Sequence, residues 1–244
     1  AAKQSLWSMK SEYNPLLMLS KLFIGSFDFQ QMPKGYPNIF VGSLALFSFV
    51  TYFTHKKIRL AEKITALLIT LFFLLSFNID FLNRIWHAGQ LPNWYPYRFS
   101  FLFSFWIVYI GYQQTLKSSK ISMFEAFTFF FFILSISIGF ILYPQSYLQS
   151  WQIVLGFGIS MGILYGLISQ TRSHMHTRRL WISLVLIELV LNSGINLARL
   201  GYVMNSDFTN YQASLKLWSQ SLSAPDNTFF RSEKTIARSK NDSL

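Results

Sequence analysis

Residues 78–98 crowd Trp86, Trp94, Tyr95, Tyr97, His87, Gln90, Asn93, Arg84 and Arg98 between two strongly apolar runs. Two chemistries fit that mixture. Trp and Tyr gather at the membrane–water interface in any case, so the segment reads as an interfacial aromatic belt. It also reads as a site for a lipid phosphate and a sugar. The guanidinium donates in a fork that matches phosphate, and rings flanked by Asn and Gln suit the faces and hydroxyls of a sugar. On that second reading the binding set is Arg84, Trp86, His87, Gln90, Asn93, Trp94, Tyr97 and Arg98, on a loop stiffened by Pro92 and Pro96. Arg98 stands directly before the apolar run 99–103. Its charge either snorkels to lipid headgroups or grips an anionic ligand.

Glu188 lies in the middle of an apolar stretch, where a carboxylate is costly and points to function by default. Asn192 and Asn196 follow at four-residue steps, so the three share one helix face. That face is either a polar clasp between helices or part of a proton relay. Asp28 and Asp80 are the two loop carboxylates placed to act as a base toward a sugar hydroxyl, and capping or turn roles compete with that assignment. The chain has no Cys, which excludes disulfides and thiolate metal sites. His174 and His176 lie in a basic loop that reads as solvated, with a metal pair as the alternative. No cofactor motif is evident, and the sequence leaves a divalent metal open.

The elements that carry these residues follow from composition. Of 244 residues, 52% are hydrophobic and 13% charged, against about 25% charged in soluble domains. The apolar residues come in blocks near the length a membrane helix needs, about 20 residues. The expected fold class is an all-α membrane protein of about six transmembrane helices, near 38–54, 64–77, 97–112, 123–143, 151–168 and 180–200. Residues 1–37 read as a loop with an amphipathic stretch, 201–225 as an interfacial helix, and 226–244 as the start of a soluble domain. The net charge of +11 falls largely in short loops beside spans, and no recognition motif points to nucleic acid. Lys56, Lys57, Arg59 and Lys63, then Lys117 and Lys120, then Arg172, Arg178 and Arg179 occupy alternate loops. Positive loops stay cytoplasmic. Loops 78–98 and 144–150 and both termini are therefore expected outside, against a weak opposing vote from Lys21 and Lys34. Membrane lipids are the expected surroundings.

The run Trp86-His87-Ala88-Gly89-Gln90-Leu91-Pro92-Asn93-Trp94-Tyr95-Pro96-Tyr97-Arg98 resembles the signature loop of bacterial YfhO-type membrane proteins. Gly25-Ser26-Phe27-Asp28, Gly35-Tyr36-Pro37-Asn38, Glu188-Leu189-Val190-Leu191-Asn192 and Phe229-Phe230-Arg231-Ser232-Glu233 resemble the same family in the same order. Where the family pattern has Gly after the loop His, this chain has Ala88. The resemblance implies a bacterial plasma-membrane protein, several times longer than this chain, of which this would be an internal part. It implies a glycosyltransferase that takes a sugar from a polyprenyl-phosphate carrier and passes it, outside the membrane, to teichoic acid or a related anionic wall polymer. The catalytic carboxylate is then expected upstream of residue 1, which leaves the base unassigned here. The 86–98 loop is implied to bind donor or acceptor. Such a transfer needs a base for the acceptor hydroxyl and cations for the leaving phosphate, and Arg84, His87 and Arg98 are the cations to hand. Two rivals stand beside it. A flippase for lipid-linked sugar would use the Glu188 face as its pathway. A non-enzymatic scaffold of the wall-polymer machinery would tolerate loss of His87 and Arg98.

Overall fold

The computed structural model describes residues 9–90, 92, 94–117, 121–169, 175–200 and 205–221. Asn93, His174, the side chain of His176 and the region 226–244 fall outside the described residues.

Among the described residues the chain is helical and has no strand. A 3-10 helix, Pro15–Leu22, and a one-turn helix α1, Gln31–Lys34, come first. Then follow α2 Ser43–Tyr52, α3 Leu60–Asn78, α4 Asp80–Trp86, α5 Ser100–Lys117, α6 Met123–Leu142, α7 Ser150–Ser169 and α8 Met175–Ala198. Four helices are long and apolar enough to cross a membrane: Leu60–Asn78, Met123–Leu142, Ser150–Ser169 and Arg178–Ala198. Their outward faces carry Leu, Ile, Val and Phe, which fits lipid as their solvent. Helix α6 starts at a capping box: the Ser122 hydroxyl accepts from the Glu125 amide, and the Glu125 carboxylate accepts from the Ser122 amide. It ends at Leu142, two residues before Pro144, which has no donor to extend the ladder.

The first expected span, 38–54, takes a different form. Only Ser43–Tyr52 is helical, ten residues, or about 15 Å of rise. That covers about half of a 30 Å hydrocarbon core. The chain ahead of it enters the bundle as irregular backbone. Ile24 packs with Ile159 and Ile163 of α7 and with Leu184, Val185 and Leu191 of α8. Non-helical backbone at that depth is tolerated only where protein satisfies its polar groups. Here α7 and α8 supply the partners. Gln152 Nε2 donates to the carbonyls of Ile24 and Gly25 at 3.0 and 2.7 Å. Asn192 Oδ1 accepts from the Gly25 amide at 3.0 Å, and Asn196 Oδ1 from the Phe27 amide at 3.3 Å. Gly25 has φ +65°, and a Cβ there would sit 2.4 Å from Ile195 and 2.5 Å from Gln152. Glycine meets both demands.

Glu188 completes the arrangement. It is 2% exposed and accepts from the Ser43 amide at 3.0 and 2.9 Å and from the Ser43 hydroxyl at 2.5 Å. That hydroxyl also meets Ser160 of α7 at 2.8 Å. No side chain of α2's own N-cap residue, Gly42, bonds its free amides. A carboxylate from another helix does so instead, and a negative charge at a helix N-terminus is favoured.

Helix α2 packs most closely against α5, and α7 lies between α6 and α8. At the end of the bundle that holds residues 55–63, His55 Nδ1 meets Glu125 at 2.5 Å and Lys117 meets Glu62 at 2.5 Å. The opposite end holds the 3-10 helix, α1, α4 and the turn 144–150. Residues 201–244 form a separate unit, in which Asn205–Ser221 is helix α9.

Candidate functional site

At the end that holds α1 and α4, a cavity of about 270 Å³ is lined by Phe27, Gln31, Gly35, Tyr36, Asn38, Tyr95, Pro96, Tyr97, Arg98 and Ser100. Two motif regions distant in sequence, 25–38 and 95–100, make its walls. Local chain geometry positions them. Tyr95 has φ +53°, an uncommon conformation for an aromatic residue, and its amide donates to the Met32 carbonyl at 2.7 Å. That bond ties the 94–98 turn to α1. Across it, Trp94 meets Phe29 edge to face at 6.0 Å.

The residues singled out in 78–98 divide into three groups. Tyr97 and Arg98 line the cavity. Arg98 is exposed, and its guanidinium donates to the Trp94 carbonyl at 3.3 and 3.1 Å. Tyr97 is buried and donates to the Glu12 carboxylate, which also accepts from Asn83 Nδ2 at 3.0 and 3.2 Å. Arg84, Trp86 and His87 lie on α4 or its C-terminus and face their own neighbourhood. Arg84 Nε bonds both oxygens of Asp80 at 3.0 Å. Trp86 stacks on Phe99 at 4.7 Å with the rings 8° apart. His87 Nδ1 pairs with the Asn83 carbonyl at 2.9 Å, so that nitrogen carries the proton. Gln90 and Trp94 are exposed and do not line the cavity.

The two loop carboxylates are engaged elsewhere. Asp80 sits in its pair with Arg84. Asp28 accepts from the Gln31 amide at 3.2 Å and lies 3.5 Å from Arg199. Neither lines the cavity. Glu188, Asn192 and Asn196 share a face of α8 and serve the backbone of 25–43, as described above.

Sequence reasoning passed over the support of the cavity wall. Lys21 is fully buried. Its Nζ donates to the Ser26 carbonyl at 2.5 Å and to Gln31 Oε1 at 2.8 Å, and lies 4.4 Å from the centre of the Tyr147 ring. Burial lowers its pKa to about 7, Asp28 opposes that shift and Arg199 adds to it. Tyr147 is pushed up to about 12 by burial, and burial also raises Tyr13. Arg199 Nη1 donates to the carbonyls of Gly25 and Tyr147, both at 2.8 Å. A readable signal existed for Arg199: positions 188, 192, 196 and 199 continue one helical face. Lys21 had a weaker one, as the only charge in the apolar run 15–24. Tyr36 and Asn38 stand in the 35–38 motif, but nothing local marks them, or Gln31, as facing a cavity.

No group of three or more His, Cys, Asp or Glu able to hold a metal occurs among the described residues. The cavity offers aromatic walls, two carboxamides and one guanidinium, which suits a polar ring bearing an anion.

Comparison with curated proteins and with solved structures gives no match. A family model described as bacterial membrane protein YfhO matches residues 1–244. With the motif regions of the loop, of 25–38 and of α8 all inside that match, the chain belongs to the YfhO family of bacterial membrane proteins.

Proposed function

We propose that the chain forms the membrane part of a glycosyltransferase that moves a sugar from a polyprenyl-phosphate carrier to teichoic acid or a related wall polymer on the outer side of the plasma membrane. The observation that carries this reading is the cavity of about 270 Å³ with Arg98 in its wall. Its size lies just below the range for drug-sized ligands, about 300–1,000 Å³, and suits one sugar ring with its phosphate. Arg98 takes the phosphate of the donor. Tyr36, Tyr95 and Tyr97 stack on the sugar, Asn38 bonds its hydroxyls, and Gln31 turns toward the phosphate. Gln90 and Trp94, exposed outside the cavity lining, are assigned to the anionic polymer. Arg84, Trp86 and His87 hold the loop's shape.

Sidedness supports the same reading. The basic turn 55–63 belongs to the opposite end, which the charge rule assigns to the cytoplasm, so the cavity opens outward. No carboxylate lines the cavity among the described residues. This reading assigns no base for the acceptor hydroxyl among the lining residues.

The test is the sugar content of purified teichoic acid by NMR. Strains lacking the gene carry the full-length wild type or Arg98→Ala at equal membrane levels. Wild type restores the sugar, and Arg98→Ala lowers it about 10-fold or more, the scale of a lost charged hydrogen bond. An unchanged sugar content on deletion defeats the teichoic-acid assignment. A silent Arg98→Ala defeats the phosphate role of this cavity.

A further inference from the structure

Lys21 is an expensive residue to keep. A fully buried ammonium loses its hydration, and its nearest carboxylate, Asp28, is committed to Arg199 and the Gln31 amide. What Lys21 holds instead is neutral: the Ser26 carbonyl and the Gln31 carboxamide oxygen. Gln31 Oε1 also accepts from the Tyr36 amide at 3.4 Å. Both partners are obligate donors, so the oxygen of the carboxamide must face them. Its NH₂ group then takes the other branch, on a residue that lines the cavity.

We propose that Lys21 is a positioning residue for the cavity: it clamps Gln31 by the oxygen, so that the amide N–H groups and the positive charge behind them receive the phosphodiester of a prenyl-phosphoryl sugar. This rests on the transferase reading above and adds the wall that recognises the donor's anionic link. The charged groups that face Lys21 are Asp28 on the following turn and Arg199 at the end of α8, and the Tyr147 ring from the 144–150 turn covers it. Two cations and one carboxylate leave the wall net positive while Lys21 is protonated. Burial places its titration at about 7, so the wall loses one charge as pH rises through neutrality.

The experiment measures binding of a farnesyl-phosphoryl hexose to the full-length protein in neutral-lipid nanodiscs, from about pH 6 to about pH 8.5. The probe's phosphodiester holds its charge across that range. Wild-type affinity is expected to fall about 3- to 10-fold with rising pH, the scale of one modest interaction. Lys21→Met binds weakly at low pH with a flat profile. Gln31→Ala, on the half-exposed first turn, covers the case in which Lys21→Met fails to fold, and loses about 3- to 10-fold throughout. Wild-type affinity and slope in Lys21→Met, or wild-type affinity in Gln31→Ala, overturn the proposal while leaving the cavity reading intact, provided Arg98→Ala still weakens binding. Absence of binding by wild type at every pH overturns both.

Discussion

At the end of the bundle that holds residues 55–63, basic side chains meet carboxylates. His55 reaches Glu125 on α6 and Lys117 reaches Glu62 on α3, each at 2.5 Å. At the cavity end such pairs recur in Arg84–Asp80 and Arg199–Asp28, but two cations stand apart from them. Lys21 and Arg98 donate to carbonyl and carboxamide oxygens, and the carboxylates Asp80 and Glu12 are absorbed by Arg84, Asn83 and Tyr97. Paired charges cancel beyond a few ångströms, whereas a cation held by neutral acceptors keeps its field. The first end is built to join helices, and the second keeps positive potential available to an anion.

The largest effects should separate the two. Glu125→Ala strips the hydrogen-bond partner of buried His55 and the capping box of α6 together, and should cost about 3 kcal/mol or more. The readout is thermal unfolding in detergent, with sugar transfer per folded molecule unchanged. A parallel fall in transfer would break the contrast between the ends. Glu188→Ala should come next, at about 2–3 kcal/mol, because it leaves the Ser43 amide and hydroxyl without an acceptor in an apolar interior. Glu188→Gln keeps an acceptor and should cost less in the same assay.

A smaller effect depends on pH. The folded protein releases the Lys21 proton near 7, while an unfolded lysine holds it to 10.5. Between these values the unfolded chain binds more protons, so stability rises with pH. Below about 7 both states are protonated and the cost of the buried charge is fully present. Tyr13, raised by burial, acts in the opposite sense only above about pH 10. The unfolding temperature of wild type should therefore climb between about pH 7 and about pH 10 relative to Lys21→Met. Equal slopes in the two proteins would show that the Lys21 charge is not buried as described. The smallest effect belongs to Ala88, which holds φ +53°. Glycine adopts that conformation without the Cβ penalty, so Ala88→Gly should stabilise by up to about 1 kcal/mol. A destabilised Ala88→Gly would mean the Ala88 methyl packs usefully.

That departure from the family pattern was visible as a letter, and its cost only as a dihedral angle. Much of the fold was legible in the same way. The apolar blocks gave α3, α6, α7 and α8 because membrane helices satisfy their own backbone and need only length and apolarity. The ten-residue α2 escaped, since hydropathy does not distinguish apolar helix from apolar irregular chain. Its start is set by Glu188 from a helix 145 residues away in sequence. The site was half legible. The aromatic loop announced itself by composition, but composition assigned Arg84, Trp86 and His87 the same standing as Arg98. Only the turn of α4 separates them, by giving Arg84 to Asp80 and Trp86 to Phe99. Gln31, Tyr36 and Asn38 carry no periodicity, and their convergence with 95–100 rests on long-range contacts such as the Tyr95 amide to the Met32 carbonyl and Trp94 against Phe29.

The most direct test of the cavity's role is photo-crosslinking of the full-length protein in membranes, with a prenyl-phosphoryl hexose carrying a diazirine on the sugar. Crosslinked peptides should map to 27–38 and 95–100, and a non-photoreactive donor should compete them away. Competed labelling confined to the 55–63 end, or to α8 around Glu188, would contradict the account and move the flippase reading ahead.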